Sequence, residues 1–157
     1  MQKSFPLRPQ PQGGLKLSLA IVASEFNRDF VQGLVDNAVH EIHEIHPDYQ
    51  ADTFWCPGSF EIPVFAQSAA ESFKYDAIIA LGVIIEGETS HAQLIAESVT
   101  HALMDISLKN KLPVIHEVLL VKNELQAKSR CLEAAHNRGI ESARAAISAA
   151  TNLKKIY

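Results

Sequence analysis

Three short segments of this 157-residue chain gather side chains able to handle a polar, planar ligand: Glu25-Phe26-Asn27, Pro57 to Pro63 (PGSFEIP) and Gly82 to His91 (GVIIEGETSH). In the first, an aromatic stands in a turn, where it either stacks on a ligand ring or packs on its own helix. In the second, Gly58 and Ser59 precede a helix start at Glu61. Free backbone N–H groups there suit an anionic or hydroxylated ligand, and Glu61 can accept from hydroxyls or amines; ordinary helix capping by Ser59 is the competing reading. In the third, Gly87 permits a tight backbone, Thr89 and Ser90 bring hydroxyls, and His91 falls in the first helical turn. An imidazole beside a nest of N–H groups suits general acid or base work, whereas alone it would be a solvated or capping residue.

Other chemistries find little support. His40, His43 and His46 lie three apart in HEIHEIH, but on a stripe of Glu and Ile that looks solvated and without an HExxH pattern, so zinc is a weak reading. GxGxxG, GxxxxGK[ST] and GxSxG do not occur, which removes the usual dinucleotide, P-loop and hydrolase readings. Cys56 and Cys131 lack CxxC spacing and read as reduced structural thiols. Fourteen Lys and Arg against eighteen Asp and Glu give a net charge of -4, with no long run of like charge. Such a surface cannot supply the clustered phosphate neutralisation that nucleic-acid binding rests on. No apolar run approaches the roughly 18 residues that span a bilayer, and Met1 to Gly14 lacks the apolar stretch of a signal peptide, so a cytoplasmic protein is expected.

Short apolar runs alternating with amphipathic ones must position these segments. Leu15–Ser24, Ala51–Cys56, Asp76–Ile85 and Pro113–Val121 read as strands. Between and after them, helical periodicity runs from Phe30 to Ile45, Glu61 to Phe73, Ser90 to Leu108, Glu124 to Ala135 and Gly139 to Leu153. This order predicts a single α/β domain over 15–157, a three-layer sandwich around a four-stranded parallel sheet. Ligands of such folds bind beyond the carboxyl ends of the strands, where all three segments fall. Residues 1–14, rich in Pro and Gly, read as an extended arm, either disordered or lying along a neighbouring subunit.

The loops Phe26-Asn27, PGSFEIP and GVIIEGETSH, in this order and each at a strand end, resemble those of the lumazine synthase family of riboflavin biosynthesis. The likeness covers Leu15 to Leu153, with Arg130 and Asn137-Arg138-Gly139 falling where the family keeps its later elements. It implies a flavodoxin-like sheet and a condensation of 5-amino-6-ribitylaminouracil with 3,4-dihydroxy-2-butanone 4-phosphate to 6,7-dimethyl-8-ribityllumazine, without metal or organic cofactor. It further implies that Phe26 stacks on the pyrimidine, that Ser59, Phe60 and Glu61 contact the ribityl chain, and that Val83, Ile84 and Ile85 present backbone groups to the pyrimidine edge. Gly87, Glu88 and Thr89 with Arg130 would hold the phosphate, and His91 would move protons. The family places its site between subunits of a pentameric ring, to which His116 and Arg130 would come from the neighbour; pairing of rings or closure into a larger shell is the leaning here. The chain departs from the family at His116, where an aromatic facing the substrate ring is usual, at Glu86, where Arg is usual, and at Ala92-Gln93 after His91. Those departures leave a non-catalytic flavin- or lumazine-binding or shell-forming relative as the alternative. A flavodoxin-like electron carrier is a more distant reading, because no Ser/Thr-rich phosphate loop follows the first strand.

Overall fold

The computed structural model describes residues 5–157. The apolar runs form the strands β1 (Ser18–Ser24), β2 (Gln50–Cys56), β3 (Ala77–Ile85) and β4 (Val114–Val121), parallel throughout and ordered β2-β1-β3-β4. Five helices connect and follow them: α1 (Arg28–Ile45), α2 (Ile62–Glu71), α3 (His91–Asn110), α4 (Glu124–Cys131) and α5 (Arg138–Lys154). Alternate strand residues enter opposite layers, as the pleat requires. Leu19, Ile21, Ile79, Leu81 and Leu119 meet Leu34 and Ile42 of α1 and Ile147 of α5. On the other face Ala20, Val22, Ile78, Ala80 and Val118 meet Ile62 of α2 and Val99 and Leu103 of α3. Apolar residues on both faces explain why the strands read as continuous hydrophobic runs. The result is the expected three-layer sandwich. Strand order reverses between β1 and β3, which opens a crevice at their carboxyl ends.

Boundaries differ from the sequence reading where single polar contacts decide them. β1 begins at Ser18 because its amide donates to Asp76 Oδ2 (2.8 Å), while Leu15 closes a turn onto the Gln12 carbonyl (3.1 Å). The stretch Ser59–Glu61 forms a single 3-10 turn before α2 starts. α4 stops at Cys131 instead of running to Ala135. The Cys131 carbonyl, which a continuing helix would use, instead accepts from Asn137 Nδ2 (2.8 Å), and a separate 3-10 turn covers Ala134–His136.

The arm has no regular secondary structure over residues 5–12 and is fastened to its own chain; Met1 to Ser4 lie outside the described residues. Glu41 on α1 accepts from Arg8 Nε and Nη2 (2.8 and 3.0 Å) and from Arg144 Nε of α5 (2.8 Å), while Arg144 Nη1 donates to the Pro6 carbonyl (2.7 Å). Burial pushes the Glu41 carboxyl up, but the two guanidiniums outweigh it and hold the group below the ordinary carboxylate value. Among the described residues no helix is long and apolar enough to cross a membrane.

Candidate active site

A cleft of about 470 Å³ opens at the carboxyl ends of β1, β2 and β3. Phe26, Ser59, Phe60, Glu61, Val83, Ile84, Ile85, Gly87, Thr89 and His91 line it, so ten of the thirteen residues singled out from sequence surround one space. Glu88, His116 and Arg130 do not line it. Phe26 and Phe60 are 71% and 63% exposed, so neither packs into the core; both leave ring surface for a planar or apolar ligand.

The three loops are fastened to one another by short contacts. Glu25 and Phe26 donate backbone N–H groups to the carbonyls of Cys56 and Pro57 (2.8 and 3.0 Å), joining the first loop to the second. Asn27, in left-handed backbone at φ 59°, donates Nδ2 to the Val83 carbonyl (2.7 Å), joining the first loop to β3. Asn27 also lines the cleft, as do Gly58, Ala92 and Ile95. Asn27 and Gly58 belong to the segments read from sequence without a ligand role of their own there, and Ala92 and Ile95 were given none. Asn27 carried a usable signal, since Asn tolerates left-handed backbone better than most residues and here directly precedes a helix.

Ser59 does not act as a helix cap: neither the 3-10 turn it opens nor α2 has a side-chain cap hydrogen bond. Its hydroxyl instead points toward Gly82. A Cβ on Gly82 would stand 2.8 Å from Ser59 Oγ and 3.1 Å from Ser24 Oγ, so only glycine leaves room there for both hydroxyls. Thr89 Oγ1 accepts weakly from the His91 amide (3.4 Å), and His91, the first residue of α3, is exposed on the cleft wall. Cys56 sits just behind this wall, but burial, followed by the charge of Glu61, pushes its thiol up to about 11. It is a thiol at neutral pH, not a nucleophile.

The cleft wall contains the carboxylate of Glu61 and the imidazole of His91 but no Lys or Arg among its described residues. The nearby cation Arg28 is engaged elsewhere, its guanidinium 3.4 Å from the Trp55 ring and its Nη1 3.8 Å from Glu25. Arg130 lies on α4, in the helical layer that α1 and α5 also form, next to the buried Glu117. Glu117 accepts from Arg138 Nε (3.1 Å), and Arg138 also reaches Glu141 (2.9 Å). Burial nevertheless raises the Glu117 carboxyl to about 7, because Arg138 is shared with Glu141, whose charge adds to the shift. His116 on β4 is half-buried and bonded to Thr100 of α3 (2.7 Å). Among the described residues no three His, Cys, Asp or Glu side chains lie close enough together to hold a metal ion.

The sequence from residue 16 to residue 154 matches the family model of 6,7-dimethyl-8-ribityllumazine synthase. The chain belongs to this family. Its relatives include the 6,7-dimethyl-8-ribityllumazine synthases of Thermococcus onnurineus, 42% identical over 140 residues, and of Thermococcus kodakarensis, 38% identical over 143 residues. The first alignment covers 89% of this chain and 91% of the relative, and the second 91% and 90%. The enzyme of the same name from Pediococcus pentosaceus is 37% identical over 131 residues, covering 83% of this chain and 84% of the relative. The matched segment contains all three loops of the cleft and α4, which carries Arg130.

Proposed function

We propose that this chain condenses 5-amino-6-(D-ribitylamino)uracil with 3,4-dihydroxy-2-butanone 4-phosphate, giving 6,7-dimethyl-8-ribityllumazine, phosphate and water, at a site completed by a neighbouring copy of the chain in the cytoplasm. Family membership supports the reaction. The observation that supports a shared site is a cleft with aromatic, hydroxyl and backbone groups in place but, among the described residues, no cation for a phosphorylated substrate.

The pyrimidine lies against Phe26, with its edge on the backbone of Val83 to Ile85. The ribityl chain runs along Ser59 to Glu61, where Glu61 accepts from its hydroxyls. The phosphate rests on backbone N–H groups at Gly87 to Thr89, and the neighbour's copy of Arg130 neutralises it; a charge-assisted contact of this kind contributes about 1.5 to 3 kcal/mol. The pyrimidine amine attacks the carbonyl of the four-carbon substrate, and His91 moves protons as the carbinolamine forms and loses water. Phosphate leaves against the same arginine and N–H groups, which match the charge that develops on it, and the ribitylamino nitrogen then attacks the remaining carbonyl, closing the ring with loss of a second water. Holding two substrates in register supplies most of the acceleration, up to about 7 to 11 kcal/mol for well-oriented pairs. The assembly is a pentamer or a multiple of pentamers.

Mixing two impaired variants tests the shared site. His91→Ala and Arg130→Ala chains, unfolded and reassembled together, regain turnover if each site draws on two chains, because some sites then receive an intact His91 from one and an intact Arg130 from the other. No regain over either variant alone would place both residues in one chain's site and end the proposal.

A further inference from the structure

His116 is held at both ring nitrogens. The backbone N–H of Val118 donates to Nδ1 (3.1 Å), so Nδ1 carries no proton. In the neutral ring the proton is then on Nε2, which stands 2.7 Å from Thr100 Oγ1. That oxygen must accept it, and its own proton goes to the Ala96 carbonyl (2.7 Å). Each donor from Val118 through the imidazole and the Thr100 hydroxyl to Ala96 therefore has one acceptor, and only a single ring tautomer and orientation satisfies the series.

We propose that Thr100 is a positioning residue that fixes His116 as an uncharged, Nε2-protonated plate facing the pyrimidine bound by the neighbouring chain. The inference rests on the shared-site reading given above and names the group that takes the place of the aromatic on β4. An added proton would have to sit on Nδ1, against the Val118 N–H, so protonation breaks the series and frees the ring to turn. Burial lowers the titration of His116 below its ordinary value of 6.5, outweighing a backbone hydrogen bond that raises it. No charged group contributes to that shift. Glu97 and His101 are the ionisable residues of α3 nearest to Thr100 in sequence, β3 offers Ala80 opposite His116, and Glu117 points to the other face of the sheet, toward Arg138, Glu141 and Arg130. A folded-state value below the ordinary one means that the neutral plate is present at neutral pH and is lost only as pH falls through that lowered value.

Thr100→Val keeps the shape of the side chain and removes the acceptor. Its KM for the pyrimidine substrate is expected to rise about 2- to 10-fold, the range that one neutral hydrogen bond supports. KM for the four-carbon phosphate stays unchanged, and Thr100→Ser restores the wild-type value. His116→Phe keeps the plate and removes the acid-side rise in pyrimidine KM seen in the wild type. Nitrogen NMR of the substrate-free protein at pH 7.5 reads the ring directly, with Nδ1 unprotonated and Nε2 protonated. An unchanged pyrimidine KM in Thr100→Val, or a proton on Nδ1, overturns the inference. Absence of turnover in the wild type overturns the functional reading instead, and the NMR measurement still decides the state of the ring.

Discussion

Asn137 joins the end of α4 to the start of α5, and its replacement should loosen the segment that carries Arg130. The residue is fully buried. Its Oδ1 accepts from the amides of Gly139 (2.9 Å) and Ile140 (3.4 Å), and its Nδ2 donates to the Cys131 carbonyl (2.8 Å). Gly139 in turn touches the backbone of α1, where a Cβ would collide with the Leu34 carbonyl. The first turn of α5 thus has little freedom to adjust. Asn137→Ala removes a helix cap, which costs about 1 kcal/mol, and leaves a buried carbonyl without a donor, which costs about 1 to 3 kcal/mol. Together about 2 to 4 kcal/mol is lost, a fall in Tm of roughly 5 to 15 °C for a chain of this size. Asn137→Ser keeps an uncharged capping oxygen and loses the donor to Cys131, so it should melt between wild type and Asn137→Ala. Calorimetry of the three proteins gives the order, and steady-state kinetics should show KM for the four-carbon phosphate rising in step with the loss of stability. An Asn137→Ala protein melting within about 2 °C of wild type would refute the idea that this side chain holds the junction.

His91→Ala should lower turnover by about 10- to 100-fold, less than the largest general-base losses, because holding the substrates together carries most of the rate; a variant as fast as wild type would make His91 a simple helix-start residue. Arg130→Ala should raise KM for the four-carbon phosphate by roughly 10- to 100-fold and leave the pyrimidine nearly untouched, in line with the loss of one charge-assisted contact; equal weakening for both substrates would remove Arg130 from the phosphate. For Glu117 the folded value near 7 lies above the ordinary 4.5, so the stability it lends is complete below about 4.5 and is lost as pH rises through 7. Glu117→Gln should therefore flatten the decline in stability between pH 5 and 8 measured by urea unfolding, and an unaltered slope would show that another group sets it.

The strands were legible because residues covered on both sheet faces leave nearly unbroken aliphatic runs, as AIIALGVII in β3 does. The cleft was legible because Phe26, PGSFEIP and GETSH fall at consecutive strand ends, and a parallel sheet brings strand ends together. What stayed hidden depends on single side chains acting across the chain. The early end of α4 follows from Asn137 taking the Cys131 carbonyl, and helical periodicity does not register such a contact. The fastening of the arm through Glu41 joins residues 33 and 103 positions apart, and Glu41 by itself reads as one more solvated helix residue. The absence of Lys and Arg from the cleft wall is likewise visible only once the loops have met.

Turnover with both substrates tests the central claim most directly. Purified protein mixed with 5-amino-6-(D-ribitylamino)uracil and 3,4-dihydroxy-2-butanone 4-phosphate should release phosphate and form the lumazine chromophore in equal amounts, well above the spontaneous rate and in proportion to enzyme. Formation at the spontaneous rate, with the same protein binding the lumazine or riboflavin tightly, would contradict the account and make the chain a binding member of its family.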